Sequence, residues 1–438
     1  MDAELARWLV SDEAAPALDE AAAQADPSSL AAATALRRHW PADRAAAALG
    51  QVELRRRAVG KFGERAASLF LTRDGLEQAT RADVARWRAA RFAAAGVREV
   101  VDLGCGLGAD SLAFLDAGIA VVAVDADPAT AVFAEANLRA AVGAREIPGQ
   151  ARDDRSGARD DRSGARDDSA TPPCHPGEGR DLRFGDRQRP TVLCGDAVEL
   201  ADGLLADGAA VFLDPARRTA SGRTWRVADF SPPWDVATGL LDGRTGCLKA
   251  APGLPSPLIP DGVAATWVSH RGDLVEASLW SGAWEPGSRT AVLLPAGDEL
   301  DAGERRDPPV GDVGGFLHEP DPAVIRACGV GVLAERLDAR APRPGIAYLF
   351  TDSPVRTPFA TTFEVLDVLP ADDRALRAWV RESGVGILEI KVRGLDVDPA
   401  VLRRRLKPRG PASATLVLTP TAEGARALVA RRASWHSA

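Results

Sequence analysis

The sequence predicts an α/β protein. A parallel sheet wound with helices is preceded by a helical region and followed by a small α/β module. Three observations predict it. Residues 1 to 95 are dominated by Ala, Leu, Arg and Glu, which are strong helix formers. At Val97 the apolar period changes, and short buried runs then alternate with helical stretches. The same alternation returns between about 360 and 432.

The elements follow in order. Asp26-Pro27-Ser28-Ser29 before Leu30, and Pro41-Ala42-Asp43 before an Ala-rich run, are helix starts. Leu54, Ala58 and Phe62 fall four apart, giving a buried stripe. Val97 to Leu103 reads as a buried strand, followed by glycines and a helix from about Ala109 to Ala117. A second strand, Ala120 to Val124, ends at Asp125, and a helix follows from Pro128 to about Ala141. Residues 151 to 168 repeat ARDDRSG, nearly charge-balanced and almost without apolar side chains. Such a stretch cannot bury enough surface to offset ordering entropy, so an insertion at 145–190 is expected to be disordered. It reads as a tolerated surface loop or as a nucleic-acid tether.

Strands resume at Thr191 to Cys194, Ala209 to Asp214 and Gly246 to Lys249. Val263 to Val268 and Val275 to Leu279 flank His270-Arg271-Gly272-Asp273 and read as a hairpin. Residues 300 to 320, rich in Asp, Gly and Pro, read as linker. The expected boundaries are 1–95 helical, 96–300 core, 301–359 linker and connecting segment, and 360–438 C-terminal domain. That last part reads strand, helix, strand, helix, strand, helix.

Composition narrows the function. With 438 residues, two or three domains are expected. A net charge of −8 excludes a strongly basic nucleic-acid-coating protein. Only four cations are Lys, so the Arg excess reads as genomic bias. The five Cys are odd in number and never form CxxC, which argues against disulfides and a zinc site. The five His show no metal spacing, and no metal is expected. The N-terminus has no basic and apolar leader and no apolar run approaches a membrane span, so a cytoplasmic protein without a membrane partner is expected.

The chemistry lies in Val100-Val101-Asp102-Leu103-Gly104-Cys105-Gly106-Leu107-Gly108. Open α/β sheets bind ligands at the carboxyl ends of their strands, and glycines let the backbone approach a nucleoside. The spacing is DxGxGxG, not the dinucleotide pattern GxGxxG. A carboxylate in the turn suits a positive amino or sulfonium group and repels a pyrophosphate. That points to S-adenosylmethionine. Asp125, 21 residues after Gly104, is placed to take the ribose hydroxyls. Asp196 can accept from the adenine amino group, and Asp214 faces the methyl donor. Each acid alone reads equally as a turn or helix cap; four ending successive strands favour the site.

With these motifs the chain resembles the class I S-adenosylmethionine-dependent methyltransferases. More closely, it resembles a bacterial group with a helical N-terminal region, a methyltransferase core and a C-terminal THUMP-like module. The core of that group is similar to the trimethylguanosine synthase (RNA cap guanine-N2 methyltransferase) family. The resemblance implies a Rossmann-like seven-stranded core. It puts Asp102, Gly104, Gly106 and Gly108 around the methionine moiety, Asp125 at the ribose, and Asp196 with neighbouring Ala197 at the adenine. It also implies a base nitrogen of tRNA or rRNA as acceptor.

Amino-group methyltransferases carry Asn/Asp/Ser-Pro-Pro and an aromatic residue after the fourth strand. Here Asp214-Pro215-Ala216-Arg217 keeps the acid and first Pro and lacks the rest. Asp214, Pro215 and Arg217 are the candidate catalytic residues. Arg217 and Arg218 can instead hold a phosphate or stack on a base. Ser231-Pro232-Pro233-Trp234 lies about 17 residues beyond the strand end. Trp234 either folds back to stack on substrate or packs in a Pro-rich turn. Gln78 and Thr80 are lid candidates, with helix capping as the alternative for Thr80. Lys249 is a substrate contact or a solvated strand end.

From Ile390 onward the chain carries ten Arg or Lys against three Asp or Glu. Arg403, Arg404, Arg405 and Lys407 form a cluster suited to RNA phosphates or to complementing a helix dipole. THUMP modules dock structured RNA, which favours the first reading. The functional expectation is an RNA methyltransferase. The alternatives are a small-molecule or protein methyltransferase and a non-catalytic, donor-binding RNA-interacting protein.

Overall fold

The computed structural model describes residues 1–143, 189–205, 208–217 and 230–434. The ARDDRSG repeat and almost all of the 145–190 insertion lie outside them, as does Arg218. The chain divides into two compact units, residues 1–249 with 281–283, and 250–280 with 284–438.

The first unit begins with six helices: α1 (Ala3–Val10), α2 (Ala15–Ala22), α3 (Leu30–Leu36), α4 (Ala42–Phe62), α5 (Arg73–Gln78) and α6 (Ala82–Ala94). Ser29 caps α3 as its sequence suggests, its hydroxyl accepting from the Ala32 amide. Then come β1 (Glu99–Leu103), α7 (Ala109–Asp116), β2 (Ala120–Asp125), α8 (Pro128–Gly143), β3 (Thr191–Cys194), α9 (Ala197–Leu204) and β4 (Ala210–Leu213). A short ribbon of β5 (Ala216–Arg217) and β6 (Phe230–Ser231), helix α10 (Trp234–Gly239) and β7 (Gly246–Ala250) complete it.

Five strands are parallel in the order β7-β4-β1-β2-β3. The order reverses between β1 and β4, which opens a crevice at the carboxyl ends of the strands. Val100, Val101 and Val211 are fully buried, as expected for strands covered on both faces.

The second unit carries β8 (Ala264–His270), β9 (Asp273–Ser281), β10 (Arg289–Leu294) and β11 (Asp298–Asp301). The expected hairpin is β8–β9, turning at Arg271 and Gly272 with φ of 56° and 88°. β12 (Phe316–Pro320), α11 (Pro322–Arg326), α12 (Val330–Leu337) and β13 (Leu349–Thr351) follow. The last elements are β14 (Ala360–Pro370), α13 (Asp373–Ser383), β15 (Val385–Val392), α14 (Pro399–Leu406), β16 (Ala412–Thr421) and β17 (Gly424–Arg432).

Two expectations are corrected here. The stretch 301–359, read as linker and connecting segment, supplies β12 and β13 to a six-stranded sheet ordered β13-β12-β14-β17-β16-β15. Its Gly and Pro residues mark turns, while Leu317, Tyr348 and Phe350 are core residues. The final element, read as a helix, is strand β17. Gly424 turns the chain at φ 104°, and Ala427-Leu428-Val429-Ala430 is buried on both faces between β14 and β16. Pairing on both edges overrides helix propensity there.

Candidate active site

The glycine turn after β1 folds back on the end of β2. The Gly104 and Cys105 amides both donate to the Val124 carbonyl at 2.9 Å. Gly104 has φ 90°, and a Cβ there would stand 3.3 Å from the Asp214 carbonyl oxygen, so this turn needs glycine. Asp125 secures the turn from β2. Its Oδ2 accepts from the Gly106 amide and its Oδ1 from the Asp127 amide, each at 2.9 Å. Burial pushes the Asp125 carboxyl above the ordinary range, and these two amides partly oppose the shift.

A cavity of about 960 Å³ opens at this sheet edge. Six carboxylates line it: Asp110, Asp125, Asp127, Asp196, Glu199 and Asp214. Lys249, near the end of β7, is the only cation among the described lining residues. Its Nζ lies 2.6 Å from Asp214 Oδ2 and donates to Thr80 Oγ1 at 2.9 Å. Thr80 in turn donates to Asp110 Oδ2 at 2.6 Å, and Asp110 pairs with the fully buried Arg88. A continuous chain of charge-assisted bonds therefore runs from the cavity to α6.

The expected site residues separate into groups. Gly104, Gly106, Asp125, Asp196, Ala197, Asp214 and Pro215 line the cavity together. Asp196 also caps α9, with Oδ1 accepting from the Val198 and Glu199 amides. Gln78 and Thr80 line the cavity as well, and the alternative of a cap by Thr80 is not made, since Arg81 is the N-cap of α6.

Asp102 does not line the cavity. It is 1% exposed and takes a 2.5 Å bond from Ser111 of α7. Gly108 also lies outside the lining. It starts α7 in the left-handed region, where a Cβ would press on Leu138 at 3.3 Å. Its small size serves helix packing.

The segment carrying Trp234 does fold back, because β6 pairs antiparallel with β5 and opposes Ser231 to Ala216. Ser231, Pro232 and Pro233 reach the cavity, whereas Trp234 is 5% exposed and packs 5.2 Å from Phe230. The stacking role expected for Trp234 is therefore corrected. Pro233 starts α10, and the indole turns inward with that helix. The backbone of Arg217 is in β5; its side chain, like the whole of Arg218, lies outside what the structure describes. Arg403, Arg404, Arg405 and Lys407 sit together on and just beyond α14 in the second unit. Arg403 donates to the Leu388 carbonyl and Arg405 pairs with Asp373, while Arg404 and Lys407 are exposed at the helix end.

Sequence reading missed several supporting residues. Arg88 falls between Val84 and Phe92 on the apolar stripe of α6, a charged side chain that needs a buried partner. Asn137 of α8 accepts from the Phe70 amide and donates to the carbonyls of Phe70 and Leu107. Gln51 makes a matching pair of bonds to Leu71. Lys61 donates to the carbonyls of Leu76, Glu77 and Ala79, fixing the chain that enters the cavity at Gln78.

Comparison with known proteins decides the family. The sequence is 32% identical over 383 residues to an uncharacterised S-adenosylmethionine-dependent methyltransferase of Mycobacterium tuberculosis, matched alike in strains CDC 1551 and H37Rv. The match spans 85% of this chain and 91% of the relative. This chain belongs to the S-adenosylmethionine-dependent methyltransferases. The fold agrees with the crystal structure of a protein assigned as a methyltransferase from Porphyromonas gingivalis W83. Its TM-score is 0.72 at 21% identity, over 97% of this chain and 99% of that one. Residues 360–432 match a family model described as THUMP domain-like, and residues 2–58 match a domain of unknown function, DUF8688.

The cavity of this methyltransferase fits its donor. S-adenosylmethionine is a nucleoside with a sulfonium and an ammonium group, and when bound it supplies an electrophilic methyl. Six lining carboxylates suit those cations, and the volume lies in the range of small-ligand sites. Asp125 and Asp196 would hold the ribose and adenine, with the Gly104–Gly106 turn against the donor. Among the described residues no helix is long and apolar enough to cross a membrane.

Asp102 is tied to α7 through Ser111. Its Oδ1 is buried without a hydrogen-bond partner among the described residues, and burial pushes its carboxyl up to about 8. The folded state thus holds a proton that the unfolded chain releases near pH 4. Stability contributed this way is present at low pH and falls as pH rises toward 8. Asp102→Asn is expected to flatten that fall, by at most about 1.4 kcal/mol per pH unit, in urea unfolding between pH 5 and 8. An unchanged slope would show Asp102 ionised in the folded protein.

Proposed function

We propose that this methyltransferase acts on RNA, transferring a methyl group to a base nitrogen of tRNA or rRNA. The observation that carries this reading is the THUMP domain-like match at 360–432, joined to the exposed cations of α14. A backbone polyanion is attracted by such a patch, and its position C-terminal to the catalytic core suits docking apart from chemistry.

The test is label transfer from methyl-labelled donor to total RNA from a strain lacking the protein. RNA labelling is expected, and it should fall at least tenfold when Arg404 and Lys407 are both replaced by Glu, with donor affinity unchanged. A second reading, a small-molecule or protein acceptor, is favoured by one feature. No aromatic side chain is among the described residues lining the cavity, so no stacking platform for a base stands there. Unlabelled RNA with label in the metabolite or protein fraction selects it.

A further inference from the structure

We infer that Lys249 and Asp214 receive the methyl acceptor together, and that the accepting atom is a lactam-type nitrogen, an N–H beside a carbonyl as in guanine or uracil, rather than an exocyclic amine. This rests on the RNA reading and narrows it.

Asp214 follows β4 and Lys249 lies within its neighbour β7, and both line the cavity. Asp214 is 36% exposed and Lys249 only 14%. The ammonium is thus fixed inside the site by Asp214 and Thr80, not left waving in solvent. Asp214 also abuts the donor's glycine turn, through the close approach of its carbonyl to Gly104.

The charge of this pair selects the chemistry. An amine that attacks a methyl sulfonium gains positive charge on nitrogen, and an adjacent ammonium opposes that gain. A lactam nitrogen behaves in the opposite way. Its lone pair is delocalised into the carbonyl, so it must lose its proton to present an in-plane pair. The anion so formed carries charge on nitrogen and on the carbonyl oxygen. Asp214 is placed to take the proton and Lys249 to donate to the oxygen. Lys249 is neutralised by Asp214 only until Asp214 is protonated; from then on the ammonium faces the substrate anion, where it stabilises most.

The step is balanced. The N–CH₃ bond forms and the C–S bond breaks, with its electron pair passing to sulfur to leave a neutral thioether. The N–H proton passes to Asp214 and then to solvent.

The experiment compares wild type, Lys249→Met and Lys249→Arg on RNA from a strain lacking the protein. Methylated nucleosides are identified by mass and fragmentation, and donor affinity is measured by calorimetry. The wild type should methylate a ring nitrogen beside a carbonyl. Lys249→Met should lower kcat at least 100-fold with donor Kd within threefold, and Lys249→Arg should regain at least tenfold. Label on an exocyclic amine, or more than a third of wild-type rate in Lys249→Met, overturns the inference while leaving the RNA reading intact.

If only metabolites or proteins are labelled, the RNA reading fails by itself. Label on an amide-type nitrogen there still supports the pair, and label on an amine, hydroxyl or carboxylate overturns it. No label in any fraction overturns both. Should Lys249→Met fail to fold, the labelled atom in wild type and the rate of Lys249→Arg decide.

Discussion

Asp110→Ala is expected to destabilise the protein by about 3–5 kcal/mol, the cost of stripping a buried cation of its carboxylate. Arg88 is fully buried and Asp110 only 6% exposed, so the pair is largely shielded from water. The guanidinium also lies 4.9 Å from the Phe212 ring, which holds it inside the core. The same change removes the acceptor of the Thr80 hydroxyl, which orients one of the two groups that hold Lys249. Thermal melting should fall by roughly 10 °C or more. Asp110→Asn, which keeps an acceptor, should lie between. A melting temperature within about 2 °C of wild type in Asp110→Ala would show that Arg88 finds another partner at little cost.

Asp125→Asn is expected to weaken donor binding by about 100-fold, or about 2.7 kcal/mol, because hydrogen bonds to a charged group contribute more than neutral ones. Asn has one acceptor oxygen where Asp125 uses two, one on the Gly106 amide and one on the Asp127 amide. The substitution therefore loosens the glycine turn and removes a negative charge from the cavity. Calorimetric titration with S-adenosylmethionine checks it, with the melting curve as a folding control. A Kd within threefold of wild type would remove Asp125 from the donor site.

Much of the cavity lining is legible in the sequence. Gly104, Asp125 and Asp196 are read from strand ends and glycine spacing, and all three line the cavity. Asp102 belongs to the same motif but points into the protein, since alternate residues of a strand face opposite sides and side-chain direction is not visible in spacing. Trp234 shows the same limit. Its motif does return to the crevice, yet the start of α10 turns the indole onto Phe230. The Arg88–Asp110 pair left a trace, a charge on an apolar stripe, but its partner sits 22 residues away on another helix.

What the sequence determined alone is local: the periods of helix and strand, the glycine turn, the acids at strand ends and the hairpin at Arg271-Gly272. These depend on backbone conformation and on side-chain alternation between neighbours in the chain. Tertiary structure decided which polar groups meet, bringing Lys249 to Asp214 and Thr80 and making a strand of 424–432 despite its helix-forming residues. Contacts of that kind arise from burial and from pairing between distant segments, and their energies exceed the few tenths of a kcal/mol per residue by which local propensity favours one conformation.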